Sequence, residues 1–143
     1  IDNSRIPFTD IAKKLLISAG TVHVRVKKME EFGIIKGASL ALDYKKLGYT
    51  FIAYIGIFLE KTHLTNYVLE KLDSIPYATV AHITTGRFNI FCKVRCKDTD
   101  HAKEIIFMID DIEGVSRTET MISLEESIND KKRLMHKIFN EIK

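Results

Sequence analysis

The sequence predicts an α+β chain in two parts, and three observations carry that prediction. Residues 5–37 hold two short runs of helical periodicity around a capped turn. From Thr50 onward, strand and helix patterns alternate in the order βαββαβ. Positive charge is concentrated at the front: residues 1–49 hold nine Lys and Arg against five Asp and Glu, whereas residues 50–143 hold thirteen against fourteen. With 143 residues, 45% apolar and 29% charged, and no low-complexity run, the chain can bury a core as one domain or as two small ones.

The first helix is marked by Ile11, Ala12, Leu15 and Leu16, spaced as one apolar stripe with Asp10, Lys13 and Lys14 on the wet side. Pro7 can open it, and Thr9 or Asp10 suits its first turn. The second helix is announced by Ser18, whose hydroxyl can accept a hydrogen bond from an otherwise orphan amide near Thr21. Val22, Val26 and Met29 form its inward stripe, which leaves Ala19, Gly20, Thr21, His23, Val24, Lys27 and Lys28 on the remaining face. Small and polar residues lead on that face and lysines follow, an order suited to base edges first and phosphates next. Gly33 supplies the stop, because only glycine takes a left-handed cap without steric cost. Two helices in this layout read as a helix-turn-helix, and the charge excess of the first third suits counterion release from phosphates. A merely solvated helical hairpin would carry the same stripe and lysines.

Ala38 to Leu42 reads as a strand, followed by a turn through Asp43 and Lys46 to Gly48. Thr50 to Glu60 is then a strand of aromatic and β-branched residues. Thr62 to Ile75 is a helix with Leu64, Val68, Leu72 and Ile75 inward and Thr62 or a neighbour as its cap. Tyr77 to Thr84 and Phe88 to Cys96 form a hairpin around Gly86. Asp98 caps a second helix with Ala102, Ile105, Ile106, Ile109 and Ile112 inward; Gly114 ends it, and Val115 to Leu124 is the fourth strand. This order is the ferredoxin-like arrangement, an antiparallel sheet with both helices on one face. In the first strand Phe51, Ala53, Ile55, Ile57 and Leu59 lie on one side and Ile52, Tyr54 and Phe58 on the other, so both faces are apolar. Pairing of two sheets would cover the second face. Asn129 to Lys143 reads as a terminal helix with Met135, Ile138, Phe139 and Ile142 inward. The predicted division is 1–37, 38–49, 50–127 and 128–143.

Other functions find little support. Cys92 and Cys96 would stand about 13 Å apart on one strand, too far for a disulfide, and read as buried free thiols. The five histidines show no zinc-type spacing. Asp98, Asp100 and His101 cluster at a helix start and Glu125 with Glu126 follows the last strand, but capping and solvation account for both. No nucleophile-base pair or phosphate loop is present, so no enzyme activity is expected. The longest apolar run, Phe51 to Leu59, is too short to cross a bilayer and no signal-peptide pattern opens the chain, so the expectation is a cytoplasmic protein.

Ser18, Thr21, Val22, Arg25, Val26, Met29, Glu30, Gly33 and Ile35 reproduce a run of the leucine-responsive/asparagine-type (Lrp/AsnC) regulators, which this chain resembles. The βαββαβ unit is similar to the effector-binding domain of that family. Its hairpin-turn motif stands here as Thr85, Gly86, Arg87, Phe88 and Asn89, and Gly114-Val115 with Arg117-Thr118 resembles the entry to its last strand. The resemblance implies a feast-or-famine transcription regulator with a winged-type helix-turn-helix. It implies a chain that dimerises through its sheets, assembles further into octamers, and binds an amino acid or related small effector between dimers. Ser18, Ala19, Gly20, Thr21, His23, Val24, Arg25, Lys27 and Lys28 would face double-stranded DNA. Arg25 would either buttress the fold or reach phosphate. By motif position, Ile83, Gly86, Asn89, Thr99, Met121, Ile122 and Ser123 would bind the effector. No cofactor, metal or membrane is implied. Three features depart from the family pattern. Asn89 stands where an Asp is frequent, Leu16 replaces a frequent turn glycine, and the start at Ile1-Asp2 leaves the motif without its first helix. An effector-sensing module without independent DNA binding is the alternative.

Overall fold

Four strands and five α-helices follow one another along the computed structural model, which describes residues 5–38, 40–130 and 132–141. They fall into two units: the described residues of Ile1–Leu42 with those of Ile128–Lys143, and Asp43–Ser127.

In the helical unit, α1 spans Phe8–Leu15 and α2 spans Ala19–Glu31. Pro7 stands at the start of α1 and Asp10 lies in its first turn. Ala12 and Val22 are the buried apolar residues of the pair. The predicted stripe of α1 is only partly inward: Leu15 is exposed and Leu16 is 92% exposed. Leu16 lies beyond the helix, at φ 55° and ψ 42°, and closes α1 in the left-handed conformation that a glycine would take freely. A side chain there costs about 1–2 kcal/mol. Gly33 follows α2 with φ 68°, as its predicted role as a stop requires.

The predicted strand at Ala38 to Leu42 is a correction. Its described residues are irregular, because no strand of the chain is paired with them among the described residues. The last helix, α5, covers Arg133–Glu141, with Met135 and Ile138 half-buried and Leu134 exposed. Ile142 and the Phe139 side chain, both predicted to face inward, lie outside what is described.

The second unit is an antiparallel sheet in the order β2-β3-β1-β4, built from β1 (Phe51–Leu59), β2 (Ala78–Ile83), β3 (Ile90–Cys96) and β4 (Val115–Ile122). Helices α3 (Thr65–Asp73) and α4 (Thr99–Asp110) supply Val68, Leu72, Ala102, Ile105 and Ile109 to one core with Ala53, Ile55, Ile57, Ile90, Cys92, Val94 and Cys96. Each large aliphatic side chain among them contributes about 1.5–3 kcal/mol on burial. A 3-10 turn at Thr62–Leu64 precedes α3, so Thr62 does not cap it by its side chain. Asp98 does cap α4, its carboxylate accepting from the His101 amide at 2.8 Å.

The other sheet face is covered by its own rings. Tyr54 stacks on Phe91 at 5.8 Å, Phe91 on Phe88 at 5.8 Å, and Phe58 meets the Phe88 edge at 5.2 Å. Phe88, expected to begin β3, precedes it and lies over Gly56, where a Cβ would overlap the ring. Glycine inside a strand is the local sign of such an approach.

Candidate functional site

At roughly 100° per residue, Gly20, His23, Val24, Lys27 and Lys28 fall on one arc of α2, and all five are exposed. The opposite arc holds buried Val22 and half-buried Val26 and Met29. Ser18 starts the helix as predicted: its hydroxyl accepts from the Thr21 amide at 3.0 Å and pairs with the Thr21 hydroxyl at 2.8 Å. Those two side chains are thereby committed to each other. Ala19 and Thr21 are half-buried or flank the cap, and Arg25 is exposed on the flank near Met29, off the main arc. The His23 ring lies 5.8 Å from Phe8 of α1, tilted against it. The nine residues predicted to face DNA therefore divide into an exposed arc of five, a capping pair, Ala19, and Arg25 on the side.

The seven residues predicted to hold an effector do not meet within one chain. Ile83, Gly86 and Asn89 lie at the hairpin end of the sheet, where Ile90 pairs with Ile57. Ile122 pairs with Ala53 at the other end, and the Ser123 amide donates to the Ile52 carbonyl at 2.9 Å. Several residues of β1 separate the two groups, roughly 15–20 Å along the strand. Met121 pairs with Tyr54 and so belongs to the ring-covered face, opposite Ile122.

Asn89 acts locally. Its side-chain oxygen accepts from the Leu59 amide at 3.0 Å while its own amide donates to the Ile57 carbonyl at 3.0 Å, tying the hairpin to the end of β1. Gly86 stands at the tip with open space around it. Thr99 and Ile122 line an apolar hollow of about 180 Å³ with Phe51, Ile106, Phe107 and Thr120. Apart from the two threonine hydroxyls, Lys103 at the rim, over the Phe107 ring at 5.6 Å, is its polar group.

A cation lattice with no counterpart in the local sequence pattern covers the ringed face. The Arg117 guanidinium lies 3.8 Å from the Phe58 centroid, and Arg87 and Arg117 both reach Glu119, at 2.6 Å and 3.0 Å. Lys93 and Arg95 pair with Glu126, folded back from beyond β4, and Arg95 also lies over Tyr44 at 5.1 Å. Gly56 is the readable signal of the covering ring. On the inner face Cys92 and Cys96 are free and fully buried, and burial pushes the Cys92 thiol up to about 11. Among the described residues no group of three or more His, Cys, Asp or Glu could hold a metal ion.

Two family models match the chain: the Lrp/AsnC ligand binding domain over residues 52–132 and a winged helix-turn-helix DNA-binding domain over residues 1–36. The regulatory protein AsnC of Escherichia coli K12 is 39% identical over 127 residues, 88% of this chain and 84% of that protein. The structure of E. coli AsnC superposes with a TM-score of 0.88 at 37% identity, covering 91% of this chain and 88% of that one. A feast or famine regulatory protein from M. tuberculosis, complexed with L-methionine, shares the fold with a TM-score of 0.82 at 19% identity, covering 91% and 88%. Helical unit and sheet unit thus match the two halves of one architecture in order, and the chain belongs to the Lrp/AsnC family of helix-turn-helix transcriptional regulators.

Proposed function

We propose that this regulator binds double-stranded DNA as a homodimer, placing the exposed arc of α2 in the major groove, and that an amino acid held between dimers shifts its assembly. The observation that carries the DNA reading is the arc itself: Gly20, Val24, Lys27 and Lys28, with His23 beside them, stand exposed beyond a capped helix start. The leading residues would approach base edges and the lysines phosphates. Arg25 would reach a phosphate on the flank. Two such helices would read a pseudo-palindrome.

The ringed sheet face supports the dimer, since aromatic and arginine side chains are the enriched chemistry of interface cores. Separation of the candidate effector residues supports a ligand site shared between copies. The Ile83, Gly86 and Asn89 end of one copy would meet the Thr99 and Ile122 hollow of another, with Met121 and Ser123 at its border, in an assembly up to an octamer. Backbone amides exposed at Gly86 would take a carboxylate. The site of action is the cytoplasm, where the DNA is.

Gel shifts over a salt series test the first part. Affinity should fall steeply with salt, and Lys27→Ala with Lys28→Ala should weaken binding to all sequences alike, reducing the log-log slope by about 1 for each phosphate no longer neutralised. A flat salt response would overturn a phosphate-led interface. Sedimentation with an amino-acid panel beginning with methionine, the ligand of the M. tuberculosis protein, tests the second. A monomer unmoved by every amino acid would overturn it.

A further inference from the structure

We infer that Gly20 and Val24 form a notch on α2 that receives the C5 methyl group of a thymine, making this pair a determinant of operator sequence; the inference rests on the DNA-binding reading above. Val24 is 53% exposed in the middle of an arc whose other long side chains are His23, Lys27, Lys28 and, in the last turn of the helix, Glu31. A single exposed valine is ordinary. Its neighbour one turn earlier is not. Gly20 stands in the first turn of α2, in a conformation that alanine adopts without strain and with less chain entropy lost on folding, and nothing in the fold calls for a glycine there. A Cβ at Gly20 would meet only the Ser18 hydroxyl oxygen at 3.8 Å, an ordinary approach, and its backbone is not in the left-handed region.

The missing side chain leaves a gap against the Val24 methyls whose borders are fixed. On one side Ser18 and Thr21 are hydrogen-bonded to each other, and on the other the His23 ring rests near Phe8. Lys27 and Lys28, one to two turns further on, would set the register by holding phosphates. Among the groups that base edges present in the major groove, the thymine methyl is the apolar one, and an apolar contact with it is a direct form of sequence readout.

The test begins by selecting tight sites from randomised duplexes with the full chain, then replacing each thymine by deoxyuridine, which removes the methyl and keeps the pairing. At the thymine facing the notch, uracil should weaken binding about fourfold per position, the worth of one buried methyl. Val24→Ala should bind both duplexes alike. Gly20→Ala should raise the thermal midpoint yet lower affinity for the thymine site toward that for the uracil site. Uracil tolerated at every position by the unaltered protein, or a uracil penalty retained in full by Val24→Ala, overturns the inference while leaving DNA binding intact. Failure to shift any duplex at low salt overturns the DNA-binding reading itself, and the inference with it. Because the deoxyuridine change is made in the DNA, a poorly folding variant would not blunt it.

Discussion

On the sheet face turned toward α3 and α4, Ala53, Ile55, Ile57, Ile90, Cys92, Val94 and Cys96 are fully buried, and no polar or charged side chain is buried among the described residues. On the opposite face of the same strands, Tyr54, Phe58 and Phe91 are half-buried, and Arg117, Lys93 and Arg95 lie over rings or pair with acids. Alternation along β1 sends an apolar residue to each side in turn, so the sequence makes the two faces look alike. They differ in what meets them. Aliphatic groups interlock with two helices from the same chain and leave nothing wet. Flat rings under guanidinium and ammonium groups shed part of their water and keep the rest, which suits the sheet-to-sheet pairing proposed above.

The largest effect expected from this contrast is on the inner face. Ile55→Ala should cost about 3–4 kcal/mol in a urea melt, as transfer and cavity terms add. Phe91→Ala should cost less stability and instead shift sedimentation toward monomer; equal destabilisation with unchanged sedimentation would erase the distinction between the faces. Next comes alkaline pH. Burial raises Cys92 from 9.0 to about 11, so the folded chain keeps a proton that the unfolded chain releases above pH 9. Stability from this source is complete below pH 9 and is lost between pH 9 and about 11, on the order of 2–3 kcal/mol. Burial, and next the Asp98 charge, also raise Cys96. A Cys92→Ala, Cys96→Ala double variant should flatten that slope, and if it declines as steeply as the parent the thiols are not its source.

Gly56→Ala should cost about 1–3 kcal/mol by displacing Phe88, and should loosen the hairpin that Asn89 ties to β1. A variant with unchanged stability and an unmoved Phe88 ring would show that the ring rests there without constraint. The smallest effect belongs to Arg117→Ala. Its guanidinium is exposed, so removing its interactions with Phe58 and Glu119 should cost less than about 1 kcal/mol, and less again as salt rises.

Local signals are readable wherever the chain acts on its near neighbours. Ser18 and Asp98 cap the helices expected of them, and Gly33 and Gly114 end helical stretches with positive φ. The inward stripes of α3 and α4 also follow their periodicity, since 3.6 residues per turn fixes which side chains share a face. Leu16 is legible as an irregular bend, though not as a leucine in a glycine's conformation. Phe88 continues the apolar pattern of the strand after it, and only Gly56, far earlier in the chain, hints that its ring turns back over β1. Motif position assigns Asn89 to an effector. Within one chain its oxygen holds the Leu59 amide, a partner distant in sequence that no local pattern announces.

By itself, the sequence determined the order βαββαβ, the two helices before it, the Ser18 cap and the exposed cationic arc of α2, because periodicity, capping and charge act over a few residues. Only the tertiary structure decided that Gly86 and Asn89 stand at the opposite end of the sheet from Thr99 and Ile122, that Met121 faces the other side, and that rings and cations cover that side. Those outcomes depend on strand order and register. An antiparallel pairing carries residues that follow the same motif sequence to opposite ends of a strand, and no local pattern records which end that will be.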